Sequence, residues 1–140
     1  MDDFEDAVEE YNRALIDFMK GDPEPARRMF SERDDVLLCN PIHPFAKGPQ
    51  EIAETTGRAS SLFTDGDCEC GRAISFVSGD LAYVVQTERW HATVDNEPRS
   101  GELRVTMIFR KEDSGWKVSH RHADPMPGGQ AAVKHLLGDT

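Results

Sequence analysis

Apolar and polar positions along this chain follow two different periods. From residue 3 to 19, Phe4, Ala7, Val8, Tyr11, Ala14, Leu15 and Phe18 recur at helical spacing, with Glu5, Asp6, Glu9, Glu10 and Arg13 on the other side. That pattern predicts an amphipathic helix. Acidic residues at Asp2 and Asp3 suit its first turn, and Lys20-Gly21 ends it. Asp22-Pro23 opens a second helix reaching about Phe30. Residues 36–39 read as a short apolar strand closed by Asn40-Pro41, and the loop after it holds His43 between prolines. Pro49 opens a third helix with Ile52, Ala59, Leu62 and Phe63 on one face, and 64–67 reads as a turn.

From Cys68 the period becomes two. Residues 68–77, 81–94, 103–111 and 116–123 read as strands joined by short polar links. Short links between successive strands predict an antiparallel meander, because parallel neighbours need long crossovers. Alternation in the last strand places Trp116, Val118, His120, His122 and Asp124 on one face, with Lys117, Ser119 and Arg121 on the other. The predicted class is α+β, with helices lying across a curved antiparallel sheet and leaving a cone-like cavity. Both parities of residues 81–92 carry apolar groups, Leu81, Tyr83 and Val85 on one and Ala82, Val84 and Trp90 on the other. A sheet apolar on both faces needs cover on both, and a second copy of the chain is the simplest cover for the outer one. Residues 1–125 are expected to form the domain, and 126–140 a tail with a short helix at 131–137.

The 140 residues suit one domain with a real core. A mean hydropathy of -0.58 and the lack of a long apolar run point to a soluble chain, and the acidic N-terminus does not resemble an export signal, so the cytoplasm is the expected location. The formal net charge of -10 argues against nucleic acid or an anionic membrane as partner. Cys39, Cys68 and Cys70 make an odd count, expected to be reduced and buried. Cys68-x-Cys70 on a strand puts both thiols on one face, without the second pair that zinc would need.

The opening helix ending in Lys20-Gly21-Asp22, the segment MFSERDDVLLCNP at 29–41, the helix start Gly48-Pro49-Gln50-Glu51-Ile52 and FRKEDSGWKVSHRHADP at 109–125 together resemble the nuclear transport factor 2-like superfamily. Within it they are most similar to the SnoaL-like, ketosteroid-isomerase-like proteins. The resemblance implies a cone-shaped sheet wrapped around helices, usually in a dimer, with a pocket at the wide end. The steroid isomerases of that superfamily use an aspartate base before a proline, with a tyrosine and a protonated aspartate as donors. The matching positions here fall on Asn40, near Ala14 and near Met107, so the resemblance does not carry that mechanism over.

The candidate site is therefore read from the residues. His120 and His122 are the candidate catalytic groups, an imidazole facing the cavity as acid, base or hydrogen-bond donor, oriented by Glu88 or Asp124. Asn40, His43, Glu88, Trp90, Asp124 and Tyr11 are the candidate ligand contacts. Alternating histidines also arise by chance, and neither a metal nor a cofactor is expected. The leading expectation is a small-molecule ligand, apolar or polyketide-like, in an internal pocket, with histidine acid–base chemistry. The alternative is a non-catalytic dimerisation or binding module whose pocket is vestigial.

Overall fold

The computed structural model describes residues 3–128, 134 and 136–138. The tail helix expected at 131–137 falls largely outside them. The elements run α1 (Asp3–Phe18), α2 (Glu24–Met29), β1 (Leu37–Cys39), β2 (Ala46–Lys47), α3 (Gly48–Ser60), β3 (Thr64–Ser78), β4 (Leu81–Val94), β5 (Glu97–Glu112) and β6 (Gly115–Pro125). They build a six-stranded sheet in the order β2-β1-β6-β5-β4-β3. The meander from β3 to β6 is antiparallel as expected, while β1 adds alongside β6 in parallel. The class is α+β, with the helices against the inner face of the sheet.

The amphipathic stripe of α1 does what its spacing implies. Phe4, Ala7, Val8, Tyr11, Ala14 and Leu15 are buried. Phe4 meets Phe109 and Trp116 edge-on, each with ring centroids 5.4 Å apart. Beneath it the inward residues Val84, Val105, Met107, Phe109 and Val118 are fully buried.

The expected turn at 64–67 is instead the start of β3, with an irregular register between Thr64 and Asp67. Gly66 makes this possible: its N–H donates to the Met19 carbonyl at 3.1 Å, and any Cβ there would lie 2.5 Å from that oxygen. The β4–β5 turn is tighter than expected. Only Asp95 and Asn96 form it, both at positive φ (52° and 64°), as two-residue hairpins require.

One irregularity decides where the polar residues of β6 point. Ile108 pairs with His120 but Phe109 pairs with Val118, so Ser119 is an extra residue in β6. A β-bulge of this kind reverses the alternation beyond it. Trp116 and Val118 face inward before the bulge, and Arg121 and Ala123 face inward after it. His120, His122 and Asp124 consequently lie on the outer face, opposite to the expectation from unbroken alternation.

Candidate functional site

Between α1, α3 and the open end of the sheet lies a cavity of about 360 Å³. Its walls are mostly apolar: Leu15 and Phe18 from α1, Phe30 after α2, Leu38 of β1, Phe63 after α3 and Ala123 of β6. Asn40, Pro41, Ile42 and Pro125 stand at its mouth. Such a hollow, apolar with a few converging polar groups, is the usual form of a small-molecule site.

The polar groups come from inward positions on β4 and β6. Gln86 and Glu88 follow Val84 on the inner parity of β4 and are almost wholly buried. A carboxylate in that position needs a partner, and the bulge in β6 delivers one. Arg121 donates from Nη2 to Glu88 Oε1 at 2.6 Å and from Nη1 to Oε2 at 2.8 Å. Gln86 Nε2 donates to Glu88 Oε2 and to Asn12 Oδ1, both at 2.9 Å, which ties the strip to α1. Burial disfavours the charge on Arg121, but Glu88 beside it more than offsets this and holds the guanidinium above its ordinary pKa.

Tyr11 stands over this pair, with the Arg121 Cζ 5.4 Å from its ring centroid. Burial, opposed by Arg121, pushes its phenol up to about 12. At neutral pH it is thus a hydrogen-bond donor and not a base. Tyr11 lines the cavity and is only 2% exposed. Its hydroxyl makes no hydrogen bond to another described residue but is not sealed off, His43 Nδ1 being the one fully buried unpartnered side-chain atom among the described residues.

Trp90 forms a side wall. It lies edge-on to Phe63 at 5.3 Å and directly across the ladder from Gly101, where a Cβ would come within 2.8 Å of the indole Nε1. Asn40 caps its own loop: Oδ1 accepts from the Ile42 N–H at 3.0 Å and the His43 N–H at 2.7 Å. Its amide nitrogen is what it can offer a ligand.

Of the residues expected at the site, Tyr11, Asn40, Glu88 and Trp90 line the cavity. His43 sits in the neighbouring loop with Nδ1 buried and unpartnered among the described residues. His120, His122 and Asp124 are on the far side of the sheet, where His122 Nε2 meets Asp124 Oδ2 at 3.0 Å. The two imidazoles are 6.3 Å apart. Burial and the neighbouring His122 lower the pKa of His120. Arg121 and Cys68 line the cavity without having been expected there. A buried Glu88 on the inner parity of β4 was the one hint in the sequence that some cation must face it. Among the described residues no three His, Cys, Asp or Glu side chains converge to hold a metal, and no helix is long and apolar enough to cross a membrane.

The helix-backed sheet is a fold shared with known structures. A nuclear transport factor 2-like superfamily protein from Salmonella enterica serovar Typhimurium superposes with a TM-score of 0.78 at 17% identity, over 96% of this chain and 92% of that one. A ketosteroid isomerase-like protein from Erwinia carotovora atroseptica gives 0.75 at 20% identity, over 89% and 94%. An NTF2-like protein with a cystatin-like fold from Novosphingobium aromaticivorans gives 0.67 at 22%, over 96% and 86%. These share the NTF2-like fold with this chain. Within it, residues 5–127 match the SnoaL-like domain, and the chain belongs to that family. No curated protein matches the sequence.

Proposed function

We propose that this protein binds a small, mostly apolar, uncharged molecule whose one polar end accepts a hydrogen bond from Tyr11. The observation that carries this reading is the Tyr11 hydroxyl, on a residue that lines the hollow, without a hydrogen bond to another described residue and not sealed from the hollow. A phenol donor left open to an apolar hollow finds its partner in a ligand or in water. The ion pair beside it argues for an uncharged ligand. Arg121 spends two donors on Glu88, and Glu88 accepts from both Arg121 and Gln86, so neither offers a free charge. The same commitment leaves Glu88 poorly placed to take a proton from a ligand. Histidine acid–base chemistry has no support here, since both imidazoles face away from the cavity.

A cyclic ketone is a natural first probe, since one structural neighbour is described as ketosteroid isomerase-like. The test is a thermal-shift panel of mono- and bicyclic ketones beside carboxylates of equal size, on wild type and Tyr11→Phe. Neutral ketones should stabilise the wild type more than carboxylates, and Tyr11→Phe should lose about 2- to 10-fold in affinity, the range for one hydrogen bond. Failure of every ketone to bind, or an unchanged response in Tyr11→Phe, would remove the basis for the reading.

A second observation favours self-association. Ile74, Phe76, Leu81, Tyr83 and Ile108 are exposed large hydrophobics on the outer face of the sheet, Phe76 at 58%. Phe76, Tyr83 and Ile108 form one row across three strands, with His120 next in line. An apolar row of this size asks for cover. At a net charge of -10, two copies repel each other least through such an uncharged patch. A homodimer through this face is the partner this reading assigns. Light scattering on wild type and Tyr83→Glu tests it, with a dimer expected for the first and a monomer for the second.

A further inference from the structure

Neither the cavity reading nor the outer face uses the cysteines. All three are free. Cys39 pairs across the ladder with His122, on the outer side of the sheet. Cys68 and Cys70 are different. As alternate residues of β3 they share the inner face, roughly 6.7 Å apart along the strand at the usual rise. Across the ladder Cys68 faces Trp90 and Cys70 faces Glu88. Cys68 lines the cavity and Cys70 is half-buried beside it, so a small ion has a route to the pair. The Arg121 guanidinium is near enough for its charge to act on Cys68.

We infer that Cys68 and Cys70 form a two-sulfur site for a soft monovalent d10 cation, with Cu(I) as the natural representative. Soft thiolates select Cu(I), and this ion is content with two sulfurs in a near-linear arrangement. Zinc, which takes four ligands in structural sites, has no such set among the described residues. Side chains pointing the same way from alternate strand positions can converge on an ion between them, and the extended backbone needs no distortion. Binding exchanges two S–H protons for one Cu(I). Each thiol gives up its proton to solvent, two S–Cu bonds form, and the oxidation state of copper is unchanged. The resulting complex carries one net negative charge, and Arg121, although paired with Glu88, is a cation close to it. The site stands independently of any cavity ligand, although an ion on Cys68 would shorten the space available to one.

The test is anaerobic competition for Cu(I) between the reduced protein and a chromogenic Cu(I) chelator. Wild type and Cys39→Ser should each hold one equivalent. Cys68→Ser and Cys70→Ser should each lose at least 100-fold in affinity, because two linked thiols act at high effective concentration. Thermal melts check that the serine variants fold. X-ray absorption at the copper edge of the wild type reads the same claim without mutation, and should show two sulfur neighbours. Retention of copper by Cys70→Ser at wild-type strength, loss of it in Cys39→Ser, or a wild type stripped by the chelator would each overturn the inference.

Discussion

At the scale of single residues, the Glu88–Arg121 pair is where stability and function meet. Both side chains are nearly inaccessible, at 3% and 8% exposed. Removing one partner of such a pair leaves a buried charge without compensation, at a cost of about 3–5 kcal/mol, whereas replacing both by apolar groups is often neutral. Urea unfolding should therefore show Arg121→Leu losing an amount of that order, and the double variant Glu88→Leu/Arg121→Leu recovering most of it. Equal losses in the single and double variants would mean that the pair is not coupled. Gly101 is the second informative residue. A methyl group there meets the Trp90 indole at 2.8 Å, and overpacking of this kind costs about 1–3 kcal/mol. Gly101→Ala should displace the indole, change its fluorescence and weaken binding of a ring ketone. An unaltered emission spectrum would show that the indole has room to spare.

At the scale of elements, β6 explains both what was legible in the sequence and what was not. The helical stripe of Phe4, Val8, Tyr11 and Leu15 and the alternation of Val105, Met107 and Phe109 declare their buried faces, because each element is regular and period alone assigns the side. The inward placement of Tyr11, Glu88 and Trp90 follows from the same regularity. A bulge breaks that logic. Ser119 carries no chemical mark of being the extra residue, and SHRHAD reads equally well with either parity. Only the pairing of Phe109 with Val118 and Ile108 with His120 reveals it. The consequence is large, since one inserted residue exchanges an arginine for two histidines at the wall of the cavity. Deleting Ser119 should remove the bulge while keeping Phe109 opposite Val118 and Ile108 opposite His120, so that Arg121 stays inward on Glu88. Urea unfolding should then show no loss of the size expected for a broken Glu88–Arg121 pair, about 3–5 kcal/mol. A loss of that size would show that Ser119 is not the extra residue.

At the scale of the whole molecule, the same bulge gives the outer face its titratable groups. His120 faces Ile108 on β5 and Leu37 on β1, with His122 and Ser119 beside it on its own strand. Arg110, Lys117 and the Asp124 paired to His122 are the charged groups around it. Its pKa is lowered from 6.5 by burial and by His122, so the folded state prefers the neutral ring. The sign follows from this. The contribution of His120 to stability is complete above the unfolded pKa and is lost as pH falls through the lower folded one. A second copy over this face would bury the ring further and act in the same direction. Light scattering should thus find the dimer intact at pH 7.5 and weakened at pH 5.5, and His120→Gln should flatten that dependence. A dimer equally strong at both values would contradict it.

The division of labour between the two faces of the sheet, a phenol and an ion pair inside and imidazoles outside, is tested most directly by calorimetry. The dissociation constant of one cyclic ketone is compared in wild type, Tyr11→Phe and His120→Gln/His122→Gln. Tyr11→Phe should weaken binding about 2- to 10-fold, with the histidine double variant indistinguishable from wild type. Loss of binding in the histidine variant, with Tyr11→Phe unaffected, would contradict the arrangement.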